Sequence, residues 1–332
     1  MVRERAEAGI GMKNAVLVTA IAFAVLVSPA RSDPYPARPV TLIVPFAAGG
    51  PADVLARTLA ERMRKPLGQA IIVENVAGAG GSVGAGRIVH AAPDGYTVGV
   101  GNWSTHVVNG AMYRLGYDLV DDLEPVTLLP STPQLIVVSS KVPATNAEEL
   151  VAWLKTHPAS AGTAGGGSAG HVGGLLFQSI TKTQFAFVPY RGAGPAMQGL
   201  LAGQIDLMLD QVPNSLPHVR DGKIKALAVT SSKRLEAAPE IPTVDEVGLK
   251  GLYVSVWYGL WVPKGTLKEV VASLNAAAIA ALDSPEMRQR LSALGQDVPS
   301  RDHQAAAVLA DLQKAEIAKW WPIIKAANIK GE

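Results

Sequence analysis

The stretch VTLIVPFAAGGPAD, residues 40–53, passes from a β-rich run through a glycine loop into a helix. Four of its first five residues are apolar and four are β-branched, which favours a buried strand. Pro51 suits the first turn of the following helix, and Leu55, Leu59 and Met63 share one face of that helix. This order predicts the first unit of an α/β sheet.

The same alternation of short β-rich runs and amphipathic helices continues along the chain. We expect further strands at Ala70–Val73, Thr97–Val100, Leu135–Val138, Phe185–Val188, Ile205–Leu209, Ala226–Val229 and Trp257–Val262. We expect helices at Pro51–Lys65, Ser82–Ala92, Thr145–His157, Pro195–Ala202, Thr266–Leu282, Pro285–Leu294 and His303–Ile324. Alternating strands and helices predict parallel sheets in two successive units, and the last strand returns the chain to the first unit.

The composition excludes several classes of function. The 332 residues, 48% of them hydrophobic, suffice for two domains. A net charge of +2 gives no basic surface typical of nucleic-acid binding. The chain has no cysteine, so disulfides, thiolate metal sites and a lipid anchor on cysteine are excluded. The six histidines show no metal-ligand spacing, and we expect neither a metal nor a cofactor.

The N-terminus is typical of an export signal. Arg3, Arg5 and Lys13 precede the apolar run Ala15–Val27, and small residues follow it. The run is short for a membrane span, and a buried N-terminal helix is the alternative. We predict a cleaved signal peptide at 1–32 and a periplasmic mature protein without a membrane anchor.

Four glycine-rich loops lie at predicted strand-to-helix junctions. They comprise residues 45–53 and 76–82 in the first unit, and 162–171 and 189–196 in the second. Such loops gather at the carboxyl ends of the strands, where exposed N–H groups and helix N-termini favour anions. Each loop alone is equally well explained as a tight turn, but four of them predict a clamp for an anion.

Motifs typical of enzymes also occur in these loops. Gly166–Gly170 and Gly80–Gly84 both match the G-x-S-x-G elbow of serine hydrolases. Two matches in glycine-rich loops show how readily the pattern arises by chance. A secreted hydrolase using Ser168 is therefore the less favoured alternative, and we expect no catalytic residue. The third loop also matches G-x-G-x-x-G, but no acidic residue follows at the distance a dinucleotide fold requires.

Several stretches, in their order, resemble the substrate-binding receptors of tripartite tricarboxylate transporters, also called the Bug family. They are Tyr35–Pro39, Pro45–Asp53, Asn75 with Gly78–Gly81, Ala92–Thr97, Val188–Gly192, Leu200–Asp210, Leu227–Ser231 and Ile241–Thr243 with Gly248. The resemblance implies a type II periplasmic-binding-protein fold, with two lobes, a ligand cleft and two crossing hinge strands. It places residues 33–133 and 258–332 in lobe 1 and residues 134–257 in lobe 2.

The resemblance also implies a function. It predicts a monomeric solute-binding protein that captures a small carboxylate and delivers it to inner-membrane transporter subunits. Di- and tricarboxylates, acidic amino acids and aromatic acids all remain candidate ligands. A ligand-binding partner of a signalling receptor is the alternative within the same fold.

The resemblance further implies that backbone groups and ordered water hold the ligand. One side of the predicted site comprises Phe46, Ala47, Ala48, Gly49, Gly50, Asp53 and Ser82. The other comprises Thr163, Gly165, Gly167, Ser168, His171, Arg191 and Asp210. His171, Arg191 and Asp210 have structural alternatives as a helix cap, an inter-lobe residue and a strand-end carboxylate, respectively. The chain departs from the family at Val76-Ala77, where Arg-Pro is frequent, and at Ala48, where proline is frequent.

Overall fold

A computed structural model of the chain describes residues 34–326, so the predicted signal peptide lies outside the described residues. The strands are β1 (Val40–Val44), β2 (Ile71–Asn75), β3 (Thr97–Asn102), β4 (Leu123–Ser139), β5 (Ser160–Thr163), β6 (Ala186–Pro189), β7 (Leu207–Gln211), β8 (Ile224–Val229) and β9 (Ser255–Pro263). The helices are α1 (Pro51–Leu67), α2 (Ser82–Val89), α3 (Asn109–Met112), α4 (Ala147–Leu154), α5 (Ala169–Thr181), α6 (Ala193–Leu201), α7 (Val212–Arg220), α8 (Lys268–Leu282), α9 (Pro285–Ala293) and α10 (Ala306–Ala326). Within residues 34–326, no helix combines the length and apolarity of a membrane span.

Two sheet regions share the long strand β4. In the first lobe β1 pairs in parallel with β2 and β3, and β9 lies antiparallel between β3 and β4. In the second lobe β4 pairs antiparallel with β7 and β8, and β5 lies parallel to β6 and β7. The partner of β4 changes from β9 to β7 between Pro133 and Gln134. The predicted α/β fold with two lobes and two long connecting strands is confirmed.

The second sheet is covered by helices on both faces. Ile136 and Val138 pack with α4 and α5 on one face, and Leu135 and Val137 pack with α6 and α7 on the other. Successive side chains of a strand point to opposite faces, so the run LIVV supplies both cores at once. This arrangement turns the carboxyl ends of β5 and β7, and the helix starts that follow, toward one edge.

Most predicted elements are confirmed, and β1 has the predicted bounds. Strand β5 was not predicted, because its sequence SAGT lacks the bulky β-branched residues typical of a buried strand. Glycine suits position 162, because a Cβ there would overlap the end of the Ile205 side chain unless that side chain moved. Helix α4 is capped by Asn146, one residue after the predicted start, since the Asn146 side chain accepts a hydrogen bond from the Glu149 N–H.

Candidate functional site

A cavity of about 40 Å³ lies between the two lobes. Its first-lobe lining comprises Phe46, Gly50, Pro51, Ala52, Asn102, Ser104 and Tyr258. Its second-lobe lining comprises Gln134, Gly162, Thr163, Ala164, Ser168, Ala169, Gly170, Ala193, Met208, Leu209, Asp210 and Gln211. Tyr258 donates a hydrogen bond of 2.6 Å to the Gln211 side-chain oxygen and so joins the two lobes at this cavity. The lining from both sides makes this cavity the candidate site.

Three helices begin at the cavity wall. Helix α1 follows Gly50, α5 follows Ser168 and α6 follows Gly192, and their lengths are 17, 13 and 9 residues. The first N–H groups of a helix have no partner within the helix, and the helix dipole places partial positive charge there. The three N-termini therefore give this cavity a preference for an anion.

No lysine, arginine or histidine lines the cavity within the described residues. The polar lining consists of neutral groups and the single carboxylate of Asp210, which is 3% exposed. Burial raises the pKa of Asp210 to about 6, although Ser215, Asn214 and the Gln211 N–H donate hydrogen bonds that oppose this rise. Backbone N–H groups and neutral side chains would surround an anion bound here. The carboxyl group beside it has a pKa of about 6.

Asp53 was predicted to belong to the site, but it does not line the cavity. Its carboxylate accepts hydrogen bonds from the Gly49 N–H at 2.9 Å, Arg57 Nε at 3.0 Å and Asn75 Nδ2 at 2.9 Å. Burial disfavours the charged form of Asp53 and so raises its pKa. The three hydrogen bonds together have the larger effect and hold the pKa of Asp53 below its usual value. Asn75 also donates to the Phe46 carbonyl, so this network shapes the first glycine loop.

His171 and Gly167 shape the third loop in a comparable way. The Gly167 N–H donates to His171 Nδ1 at 3.1 Å, and the His171 N–H donates to the Ser168 hydroxyl at 3.4 Å. Ser168 therefore caps α5, and the same residue lines the cavity. Neither His171 nor Gly167 lines the cavity itself.

The two lobes touch through backbone groups of the glycine loops. The Ala47 N–H donates to the Arg191 carbonyl at 3.2 Å, and the Tyr113 hydroxyl donates to the Gly166 carbonyl at 2.8 Å. Added side chains at Gly80 and Gly194 would meet the opposite lobe, at the Gly166 carbonyl oxygen and at the Gly49 backbone respectively. In the described conformation the two lobes are therefore in contact beside the cavity.

An outer chamber of about 260 Å³ lies next to the cavity. Its lining comprises Gly78, Ala79, Gly80, Gly81, Tyr113, Ala164, Gly165, Gly166, Pro189, Tyr190 and Arg191. Ala164 lines both spaces, so they adjoin. Arg191 is exposed, and its guanidinium forms no hydrogen bond or ion pair with the described residues.

The structure thus divides the predicted site residues into three sets. Those at the cavity are Phe46, Gly50, Thr163, Ser168 and Asp210. Those in the outer chamber or in the described lobe contacts are Ala47, Gly165 and Arg191. The remaining six, which line neither space, are Ala48, Gly49, Asp53, Ser82, Gly167 and His171. Ligand contact remains a prediction for all of them.

Sequence reasoning missed several polar residues of the cavity. Asn102 and Gln211 end β3 and β7, and polar residues at the carboxyl end of an apolar strand are a signal that could have identified them. Gln134 and Tyr258 lie inside the long strands β4 and β9, where no local pattern marks them. Gln134 lines the cavity, and its buried side-chain oxygen accepts no hydrogen bond from the described residues.

A family model and a curated relative both match most of the chain. Residues 55–329 match the model of the tripartite tricarboxylate transporter family receptor. Protein BugT of Bordetella pertussis is 34% identical over 321 residues, which cover 95% of this chain and 97% of BugT.

Two solved structures of Rhodopseudomonas palustris proteins are also similar. MatC, solved with bound malate, has a TM-score of 0.84 and 41% identity over 87% of this chain and 100% of MatC. Rpa4515, solved with adipate, has a TM-score of 0.84 and 33% identity over 89% of this chain and 99% of that protein. The chain is therefore a solute-binding protein of the tripartite tricarboxylate transporter receptor, or Bug, family.

Proposed function

We propose that this protein is a periplasmic receptor that captures a small carboxylate in the inter-lobe cavity and delivers it to a tripartite-type transporter in the inner membrane. The observation that carries the proposal is the convergence of three helix N-termini on a cavity that no cationic side chain lines among residues 34–326. The similar proteins MatC and Rpa4515, solved with malate and adipate, support a carboxylate as the ligand.

The proposed chemistry suits a protein that must release what it binds. Neutral N–H donors and helix N-termini stabilise a carboxylate with hydrogen bonds and partial charges. A buried ion pair in the cavity would add a desolvation penalty, and breaking it would leave one charge uncompensated. When the lobes part, water replaces the backbone donors and the ligand can leave.

We also propose that the chain passes between the lobes at residues 134 and 257. The exchange of β4 partners at residues 133 and 134 supports the first of them. Rotation about β4 and β9 would open the cavity while leaving both sheets intact, which is typical of hinge closure around a ligand.

Carboxylates are expected to raise the unfolding temperature of the purified protein. A ligand that binds only the folded state stabilises it by about 2.7 kcal/mol at a concentration of one hundred times Kd. The measurement is a thermal-shift screen of carboxylic acids, with the neutral amide of each acid as its control. If no acid shifts the transition, or each amide shifts it equally, the carboxylate proposal is wrong.

The proposed location depends on removal of residues 1–32. We expect the mature protein recovered from the periplasm to begin near Arg31 or Asp33, because small residues there suit a signal peptidase. N-terminal sequencing measures this directly. A mature protein that retains the run Ala15–Val27 would contradict the proposed export.

A further inference from the structure

The outer chamber differs from the cavity in its charge. Arg191 is the one charged residue in its lining, within the described part of the chain. The other lining groups are small residues, a proline and the two tyrosines Tyr113 and Tyr190. The chamber therefore has a cationic group in its lining. Among the described residues, the acidic group that lines the adjoining cavity is the carboxyl group of Asp210.

The backbone of Arg191 is held by a hydrogen bond, whereas its guanidinium is bound by none of the described residues. The Arg191 carbonyl accepts the hydrogen bond from the Ala47 N–H of the opposite lobe, so its backbone is fixed when the clamp is closed. Its guanidinium has no partner among the described residues, although five N–H donors could bind a carboxylate in bidentate fashion. Arg191 lines a chamber next to the candidate cavity, so its guanidinium is available to bind a ligand group there.

We propose that the outer chamber is a second anion subsite, in which Arg191 binds an acidic group at the far end of a ligand anchored in the cavity. This inference rests on the proposed function. Ala164 lines both spaces, so a ligand that extends past this residue would place its second acidic group in the chamber. Arg191 attracts the second acidic group of such a ligand toward the chamber.

The subsite is assembled by lobe closure. The chamber takes Gly78–Gly81 from the first lobe and Ala164–Gly166 with Arg191 from the second. The Tyr113–Gly166 hydrogen bond spans the same gap. A distal acid on Arg191 therefore contacts a wall that exists only in the closed state, and this contact favours closure over the open state.

The test compares diacids with monoacids of the same carbon number: succinate with butyrate, glutarate with pentanoate, and adipate with hexanoate. Calorimetry is performed on the purified protein and on the variants Arg191→Gln and Arg64→Gln. Arg64 is exposed in the last turn of α1, the end of that helix opposite to the cavity, and its replacement removes the same charge. Thermal unfolding without ligand checks that each variant is folded.

For the best-bound diacid, Arg191→Gln is expected to weaken binding about tenfold, which corresponds to one charge-assisted hydrogen bond. Binding of the matched monoacid should change by less than about twofold, and Arg64→Gln should affect neither acid. Equal losses for diacid and monoacid, or no loss for either, would overturn the subsite while leaving the carboxylate cavity in place. Failure of the unmodified protein to bind any of these six acids would overturn the subsite, and the thermal-shift screen would then decide the carboxylate proposal separately.

Discussion

Replacing Gly194 by alanine is expected to abolish ligand binding while both lobes stay folded. Gly194 lies in the first turn of α6, on the second lobe. A methyl group there would lie 2.9 Å from the Gly49 carbonyl carbon and 3.1 Å from the Gly50 nitrogen, both in the first lobe. These are backbone atoms, which cannot turn aside as a flexible side chain can, so the methyl group holds the clamp open.

The substitution is harmless within its own lobe. Gly194 is helical and has no left-handed backbone angle, and alanine is the better helix former. We therefore expect an unchanged or slightly raised unfolding temperature, at least a hundredfold loss of affinity, and no ligand-induced compaction in small-angle scattering. Gly116→Ala is the matched control, since an added methyl group there would contact no other atom within 4 Å. If Gly194→Ala binds ligand within tenfold of the unmodified protein, closure through these loops is not required for binding.

Ligand affinity is expected to fall by up to about a hundredfold between about pH 6 and about pH 8, because Asp210 loses its proton over this range. Burial raises the pKa of Asp210 to about 6 in the protein without ligand. A bound carboxylate next to it would raise this pKa further, since a like charge disfavours ionisation. The complex would then hold more protons than the free protein above pH 6, so a rise in pH favours dissociation.

The matched variant for this prediction is Asp210→Asn. Its amide oxygen can still accept the hydrogen bonds that Asn214 and Ser215 donate to Asp210 Oδ2, but the residue no longer titrates. Calorimetry across the pH range should give a nearly constant affinity for Asp210→Asn and a declining affinity for the unmodified protein. An affinity that increases with pH would contradict the prediction and would indicate that the ligand presents a cationic group to Asp210.

The fold was largely predictable from sequence because the signals that define it are local. Apolar runs such as residues 40–44 and 135–138 give the strands, and the proline and glycine loops give the helix starts. Strand β5 escaped prediction because its residues are small, and Ile205, which closely approaches Gly162, is distant in sequence.

The candidate site was predictable only in part, since a residue's position in a loop does not fix its partner. Gly49 lies in the predicted loop, but its N–H is occupied by Asp53, four residues ahead in the same loop. Gln134 and Tyr258 reach the cavity from the middle of the long strands, because the hinge passes beside it. Such residues become identifiable only when both lobes are assembled.

The position of β9 between β3 and β4 has a consequence for the synthesis of the chain. The first sheet joins strands that end at residue 102 to a strand that begins at Ser255, so it cannot be completed until the whole second lobe has been synthesised. Chains whose contacts are distant in sequence fold slowly, because loop closure precedes the gain from pairing. If residues 1–32 direct export as proposed, this delay favours a chain that is still unfolded when it reaches the translocation channel.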